Sequence, residues 1–496
     1  MTHKNFTSSK STWEPVIGLE IHAQLNTVSK LFSSDANRFG DAPNANIGEL
    51  STALPGSLPV INQEAVKKAI LFGLAISGDV QKVSRFDRKS YFYPDCPRNY
   101  QITQYDHPIV WGGSVTAIVE GVEKAFQINR VQLEDDAGML KHFSTFAGVD
   151  FNRAGVPLIE IVSEPCMRSA KDAVAYAMAI RSILDYLNVS DCNMEEGSIR
   201  FDVNVSVRKR GETKFRNKIE IKNMNSFSNL EVAIQHEIER QIALYEAHPS
   251  TPHGELVPQA TYRWDPETSK TILMRSKEDA EDYRYFPDPD LLPLVLSSEE
   301  IDAIRKMLPE LPLAKEKRYR GDLGLSDLQS YFLTSDKKMA VYFEEALSIC
   351  PHPKQLANWI AVEFTGRLKE EGKTVYQSGI LPKFIGELVM MISSQEITGK
   401  IAKLVADEMV KNPHLSPQEI VQANPDFKPV QDVNLVRTIA DTVVKNNEAT
   451  VQEFLKGRER VFAFLVGQVM KETKGSASPE TVHAALKEAI QRYQEK

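Results

Sequence analysis

Pro15-Val-Ile-Gly-Leu-Glu-Ile-His-Ala-Gln-Leu25 alternates strictly: Ile17, Leu19, Ile21, Ala23 and Leu25 fall on one face, and Gly18, Glu20, His22 and Gln24 on the other. A period of two marks a strand with one buried face. Ile199-Arg-Phe-Asp-Val-Asn-Val-Ser-Val-Arg208 repeats the pattern, with Ile199, Phe201, Val203, Val205 and Val207 apolar and Arg200, Asp202, Asn204, Ser206 and Arg208 opposite them. Between the two lies a helix, opened by Ser169 with Asp172 three residues on, as in a capping box. Its apolar positions Val174, Met178, Ile183, Leu184 and Leu187 recur near helical spacing. Strands interleaved with few helices predict an α+β fold with an antiparallel sheet rather than a doubly wound one.

Outward from these strands, two proline-rich stretches read as boundaries. Tyr285–Pro293 holds Pro287, Pro289 and Pro293, and strand patterns fade after it; Pro413–Pro429 holds Pro417 and Pro425 as well. The expected division is an α+β domain over 1–295, an all-helical domain over 296–410 and a small helical tail over 411–496. A length of 496 residues suits about three domains. No apolar run approaches the ~20 residues of a membrane span, and Met1–Ser11 lacks the apolar core of a signal peptide. The four cysteines are scattered without a C-x-x-C pair, which argues against a zinc knuckle or a disulfide framework and for a reducing cytoplasm. The net charge of −8 is carried by the front of the chain, while 411–496 is close to neutral and locally basic. Such a balance suits metal binding at one end and a polyanion at the other, and suits a solvated helical tail equally well.

Several reaction classes are excluded by missing motifs. Gly366-Arg-Leu-Lys-Glu-Glu-Gly372-Lys-Thr374 resembles a phosphate-binding loop but has five residues between its glycines where the loop needs four, and no strand precedes it. No Gly-x-Ser-x-Gly elbow, kinase signature or aminoacyl-tRNA synthetase signature is present.

What remains is a set of carboxylates and one histidine on strand faces. Glu20 and His22, two apart, point the same way, and Asp202 stands on the polar face of its own strand. Glu160 sits inside Pro157-Leu-Ile-Glu-Ile-Val162, a run that reads as buried on both faces, where a carboxylate is costly unless paired or bound to a cation. Glu134, Asp135 and Asp136 end another strand, and a divalent cation would relieve their mutual repulsion. Hard oxygen ligands with one imidazole and no thiolate favour magnesium or manganese, ions that bridge the phosphates of ATP. Taken singly, the Glu20/His22 pair also fits surface decoration and the acidic triplet a solvated turn. The pattern alone stops at a metal-dependent enzyme of unassigned reaction.

Longer motifs carry a resemblance. Trp13-Glu-Pro-Val-Ile-Gly-Leu-Glu-Ile-His-Ala-Gln-Leu25, Phe86-Asp-Arg-Lys-Ser-Tyr-Phe-Tyr-Pro-Asp95, Tyr100-Gln-Ile-Thr-Gln104 and Asp150-Phe-Asn-Arg-Ala-Gly-Val-Pro-Leu-Ile-Glu-Ile-Val-Ser-Glu-Pro165 are similar to segments of the B-subunit family of aspartyl/glutamyl-tRNA(Asn/Gln) amidotransferases. So are Met194-Glu-Glu-Gly-Ser-Ile-Arg-Phe-Asp-Val-Asn204, Glu220-Ile-Lys-Asn-Met-Asn-Ser-Phe227, Asp282-Tyr-Arg-Tyr-Phe-Pro287 and Phe464-Leu-Val-Gly-Gln-Val-Met470. The matches run in order over nearly the whole chain.

The resemblance implies one component of a ligase, which binds mischarged Glu-tRNA(Gln) or Asp-tRNA(Asn), phosphorylates the side-chain carboxylate with ATP and Mg2+, and amidates it with ammonia. The implied partners are an amidase A subunit, which releases that ammonia from glutamine, and a small C subunit that wraps the other two. Carried over residue by residue, the family's metal ligands resemble Glu20, His22, Asp135, Glu160 and Asp202, with Glu134 kept as a neighbouring candidate and Glu160 and Asp202 as catalytic groups. Lys89, Arg200 and Arg284 lie in matching motifs as candidate phosphate contacts, and Lys456, Arg458, Arg460, Lys471 and Lys474 flank an amphipathic tail helix suited to tRNA phosphates. Two departures stand out: the family often has two glutamates at Glu134-Asp135, and usually an acid where this chain has Cys166. The chief alternative is a non-catalytic component that presents tRNA to a partner; a stand-alone ammonia ligase would need neither tail nor partners. No cysteine sits in a recognisable glutaminase setting, so ammonia release is expected to lie outside this chain.

Overall fold

Both alternating stretches are strands of one sheet. The computed structural model describes residues 12–224, 226–276, 282–427, 433–473, 477 and 479–494. In chain order the elements that frame the site are β1 (Trp13–Gln24), α1 (Gln63–Ala75), β2 (Asp87–Ser90), β3 (Tyr100–Thr103), β4 (Val122–Asp135), β5 (Pro157–Ser163), α2 (Ala170–Tyr186), β6 (Ile199–Lys209), β7 (Ile219–Met224), α3 (Phe227–Ala247), β8 (Ala260–Asp265), β9 (Lys270–Ser276) and α4 (Ser298–Arg305).

The sheet runs β9-β8-β7-β6-β1-β5-β4 and continues through the short strands Val110–Trp111 and Asp79–Val80. Its pairs are antiparallel except β7 with β8, which is parallel. β1 is central, with Glu20 opposite Asp202 on β6 and His22 opposite both Arg200 on β6 and Glu160 on β5. The apolar face holds Ile17, Ile21, Val203, Val205, Ile159 and Ile161, all fully buried. The helices α1, α2 and α3 pack on that side. Each such side chain contributes about 1.5–3 kcal/mol by leaving water, which fixes the register, since a one-residue slip would turn the whole set outward.

Of the positions expected on the helix α2, Ile183, Leu184 and Leu187 are buried, joined by Ala173, Tyr176, Ala177 and Ile180, whereas Val174 is half-buried and Met178 faces solvent. Ser169 Oγ accepts from the Asp172 amide at 3.1 Å. The Asp172 carboxylate accepts instead from Arg168 N at 3.0 Å and Lys124 Nζ at 2.8 Å, so it is committed to partners other than the cap residue.

The chain divides into two units, one through Leu313 and one from Ala314. The first core runs past residue 295 because α4 folds back on it: Ile301 is buried there, with Ile304, Leu308 and Leu311 packed alongside. The prolines in between do not mark a linker, since Phe286–Pro287 pairs with β2 and Leu294–Val295 pairs with Val83–Ser84. The second unit is helical and holds two apolar cores, one from Tyr319 to Phe427 and one from Val436 to Ile490. Ile420, Val421 and Phe427 belong to the former, so its core extends beyond residue 411. Within this unit Gly366 lies inside the short helix Thr365–Leu368 and Gly372 closes the following turn at φ +64°, a helix end rather than a phosphate loop. Among the described residues, no helix is long and apolar enough to cross a membrane.

Candidate metal centre

Strand alternation gathers the polar side chains on the sheet face opposite α1–α3. Gln132 and Glu134 on β4, Glu160 on β5, Glu20 and His22 on β1, and Arg200, Asp202 and Asn204 on β6 all share it. On this face His22, Glu134 and Glu160 converge, one ligand atom from each lying within 4.8 Å of the others. His22 Nε2 is 3.8 Å from Glu134 Oε1. Two donors on one Mg2+-sized ion, each about 2.1 Å from it, lie about 3 to 4 Å apart, so small side-chain rotations would seat a cation here. Burial of Glu160, and then the charge of Glu134 beside it, push its pKa upward, with His22 acting in the opposite sense. Two crowded carboxylates with one imidazole form a donor set for a divalent ion such as Mg2+ or Mn2+.

The structure brings Glu20 and Asp202 to the same face but outside that trio. Glu20 Oε1 accepts from Asn204 Nδ2 at 2.9 Å. Asp202 Oδ2 accepts from Lys222 Nζ at 3.0 Å, and Lys222 also reaches Glu220 at 3.2 Å. Burial works against the Lys222 ammonium, but Asp202 and Glu220 outweigh it and raise its pKa.

Asp135 is not brought into the cluster. Alternation along β4 sends Glu134 and Asp136 to the polar face and Asp135 to the other, where its carboxylate pairs with Arg98 and accepts from Ile102 N at 2.9 Å. Burial pushes the Asp135 pKa up, partly offset by Arg98. Of the two adjacent candidates, Glu134 therefore faces His22 and Glu160.

The cationic candidates separate as well. Arg200 is held by Asp136, whose two oxygens each lie 3.0 Å from its Nη2. Asp136 in turn accepts from Gln24 Nε2 at 2.8 Å, and Arg200 and Arg153 overcome burial to hold its pKa below the usual carboxylate range. Lys89 on β2 lies over the Tyr283 ring at 4.7 Å and within the field of Glu160. Arg284 is exposed, in the left-handed region at φ +43°, with its guanidinium 5.6 Å from the Phe92 ring centroid. In the tail, Lys456, Arg458, Arg460 and Lys471 are exposed, with Arg458 paired to Glu453 at 3.3 Å; Lys474 lies outside the described residues.

Sequence reasoning passed over Lys222, Gln132 and Thr103. Alternation could have found the first two, since Lys222 follows Glu220 by two residues and Gln132 precedes Glu134 by two. Thr103 carries no such signal, because only the tertiary fold lays β3 across the end of β4.

Residues 15–302 match the family model described as the GatB/GatE catalytic domain, and residues 341–490 match the model described as the GatB domain. The chain belongs to this family. It is 60% identical over 490 residues to the B subunit of the aspartyl/glutamyl-tRNA(Asn/Gln) amidotransferase of Protochlamydia amoebophila, covering 99% of both chains. To the corresponding B subunit of Chlamydia muridarum it is 55% identical over 478 residues, covering 96% of this chain and 98% of that one.

Proposed function

We propose that this chain is the component of a tRNA-dependent amidotransferase that activates the side-chain carboxylate of mischarged Glu-tRNA(Gln) or Asp-tRNA(Asn). The observation that carries this reading is the convergence of His22, Glu134 and Glu160 on the open face of a sheet whose other face is sealed by helices. The carboxylate attacks the γ-phosphorus of ATP and ADP leaves; ammonia then attacks the acyl carbon, phosphate leaves, and the amide forms. Mg2+ held by His22, Glu134 and Glu160 would neutralise charge on the transferring phosphoryl group. Lys89, which acts electrostatically on Glu160, and the exposed Arg284 are the proposed contacts to phosphate oxygens. Arg200, committed to Asp136, acts instead on the shape of the face. Ammonia comes from an amidase A subunit, with a small C subunit completing the assembly. The isolated chain is accordingly expected not to hydrolyse glutamine.

The decisive experiment is ATP hydrolysis and amide formation by the reconstituted complex, with each mischarged tRNA in turn. Turnover that requires charged tRNA and Mg2+, and fails with uncharged tRNA, is expected. ATP turnover by the partners without this chain would leave it only the presentation of tRNA.

The tail carries a second expectation. A cut after residue 411 would strip Ile420, Val421 and Phe427 from the middle core, whereas ending the chain at residue 427 removes only the last core. The shorter chain should lose affinity for tRNA, with a weaker salt dependence than the full protein because the phosphate contacts of Lys456, Arg458, Arg460 and Lys471 are gone. Filter binding at several salt concentrations reads this. Equal affinity and salt slope would assign the tail a structural role.

A further inference from the structure

Glu134 and Glu160 belong to different strands, and what fixes them relative to one another is a single buried amide. Gln132 lies on β4 directly opposite Glu160, two residues before Glu134, and is 4% exposed. Its Nε2 donates to Glu160 Oε2 at 2.6 Å and to Thr103 Oγ1 at 3.2 Å. The Thr103 hydroxyl, 1% exposed, passes the donation on to Glu134 Oε2 at 3.1 Å. The orientation of the amide is not arbitrary. Its oxygen accepts from Arg130 Nε at 2.9 Å, and a guanidinium can only donate, so the NH2 group must face the carboxylates.

The donors therefore run in one direction, from Arg130 through Gln132 to Glu160 and, by way of Thr103, to Glu134. Each carboxylate has its Oε2 taken by this relay, while Glu134 Oε1 is the oxygen nearest His22 Nε2. Buried polar groups of this kind hold their geometry only while every member is satisfied.

We propose that Gln132 and Thr103 are positioning residues that clamp Glu134 and Glu160 in the orientation a divalent cation needs, with Arg130 fixing the polarity of the clamp. The proposal rests on the reading of His22, Glu134 and Glu160 as a cation site. Partners that orient ligands in this way change metal affinity about 10–100-fold when removed.

The test is Mn2+ binding to the full chain, followed by electron paramagnetic resonance and titration calorimetry, with thermal unfolding of the metal-free protein alongside. Gln132→Met keeps the length of the side chain and removes the donor; Thr103→Val keeps the shape and removes the hydroxyl. Each should raise the Mn2+ Kd about 10–100-fold, and Thr103→Ser, which restores the hydroxyl, should recover most of the loss. A purely structural role would lower the unfolding midpoint in Thr103→Val and Thr103→Ser alike, without splitting their Mn2+ affinities. If wild type binds Mn2+, Glu160→Gln abolishes binding, and Gln132→Met and Thr103→Val bind as wild type, the clamp is overturned while the cation site stands. If wild type binds no Mn2+, both are overturned.

Discussion

Glu134→Gln is expected to reduce ATP-dependent amidation by the whole complex by about a thousandfold, equivalent to about 4 kcal/mol of transition-state stabilisation. The same substitution should leave thermal stability of the metal-free chain unchanged or slightly raised. It removes the negative charge that crowds Glu160, and the Gln oxygen can still accept from Thr103. Its neighbour behaves in the opposite way. Asp135→Asn leaves Arg98, whose side chain is only 11% exposed, without a carboxylate. Breaking a buried pair from one side costs about 3 kcal/mol, so the unfolding midpoint should fall while Mn2+ affinity stays within a few-fold of wild type. Calorimetric unfolding and Mn2+ titration of the two variants side by side separate these outcomes. Tight Mn2+ binding in Glu134→Gln together with none in a folded Asp135→Asn would return the ligand role to Asp135.

That contrast shows where the sequence was legible and where it was not. The period-two patterns of Pro15–Leu25 and Ile199–Arg208 identify β1 and β6, and they put Glu20, His22 and Asp202 on polar strand faces from the pattern alone. They do not choose within Glu134-Asp135-Asp136, because phase along β4 depends on where the strand pairs with β5, a tertiary fact. Membership of a shared face is likewise not membership of a shared site. Glu20 and Asp202 face the cluster, but Asn204 and Lys222 hold them, and those partners come from side-chain reach across the sheet. The proline-rich stretch near residue 290 misled for a related reason: prolines are tolerated at edge strands as readily as in linkers, and the helix after them returns to the first core.

Asp136→Asn carries the second large effect. The carboxylate is 6% exposed and is the anionic partner of Arg200 and Arg153. An asparagine would turn an NH2 group toward one of these cations or give up the bond from Gln24. A loss of about 2–4 kcal/mol is expected, toward the lower end because Arg200 keeps some access to water. Urea unfolding followed by circular dichroism should show an earlier transition at unchanged slope. An unshifted midpoint would mean that Arg200 is satisfied by solvent alone. In the folded chain this one carboxylate ties Gln24, Arg153 and Arg200 together.

The central place of β1 has a consequence for biosynthesis. The strand is made first, as residues 13–24, yet both of its neighbours arrive late, at residues 157–163 and 199–209. At a synthesis rate of about 5–20 residues per second, the nascent chain carries this apolar-faced segment without its pairing partners for roughly ten to forty seconds. The middle of the sheet thus cannot close until residue 209 has been made, and until then an aggregation-prone edge waits on the ribosome for strands that do not yet exist.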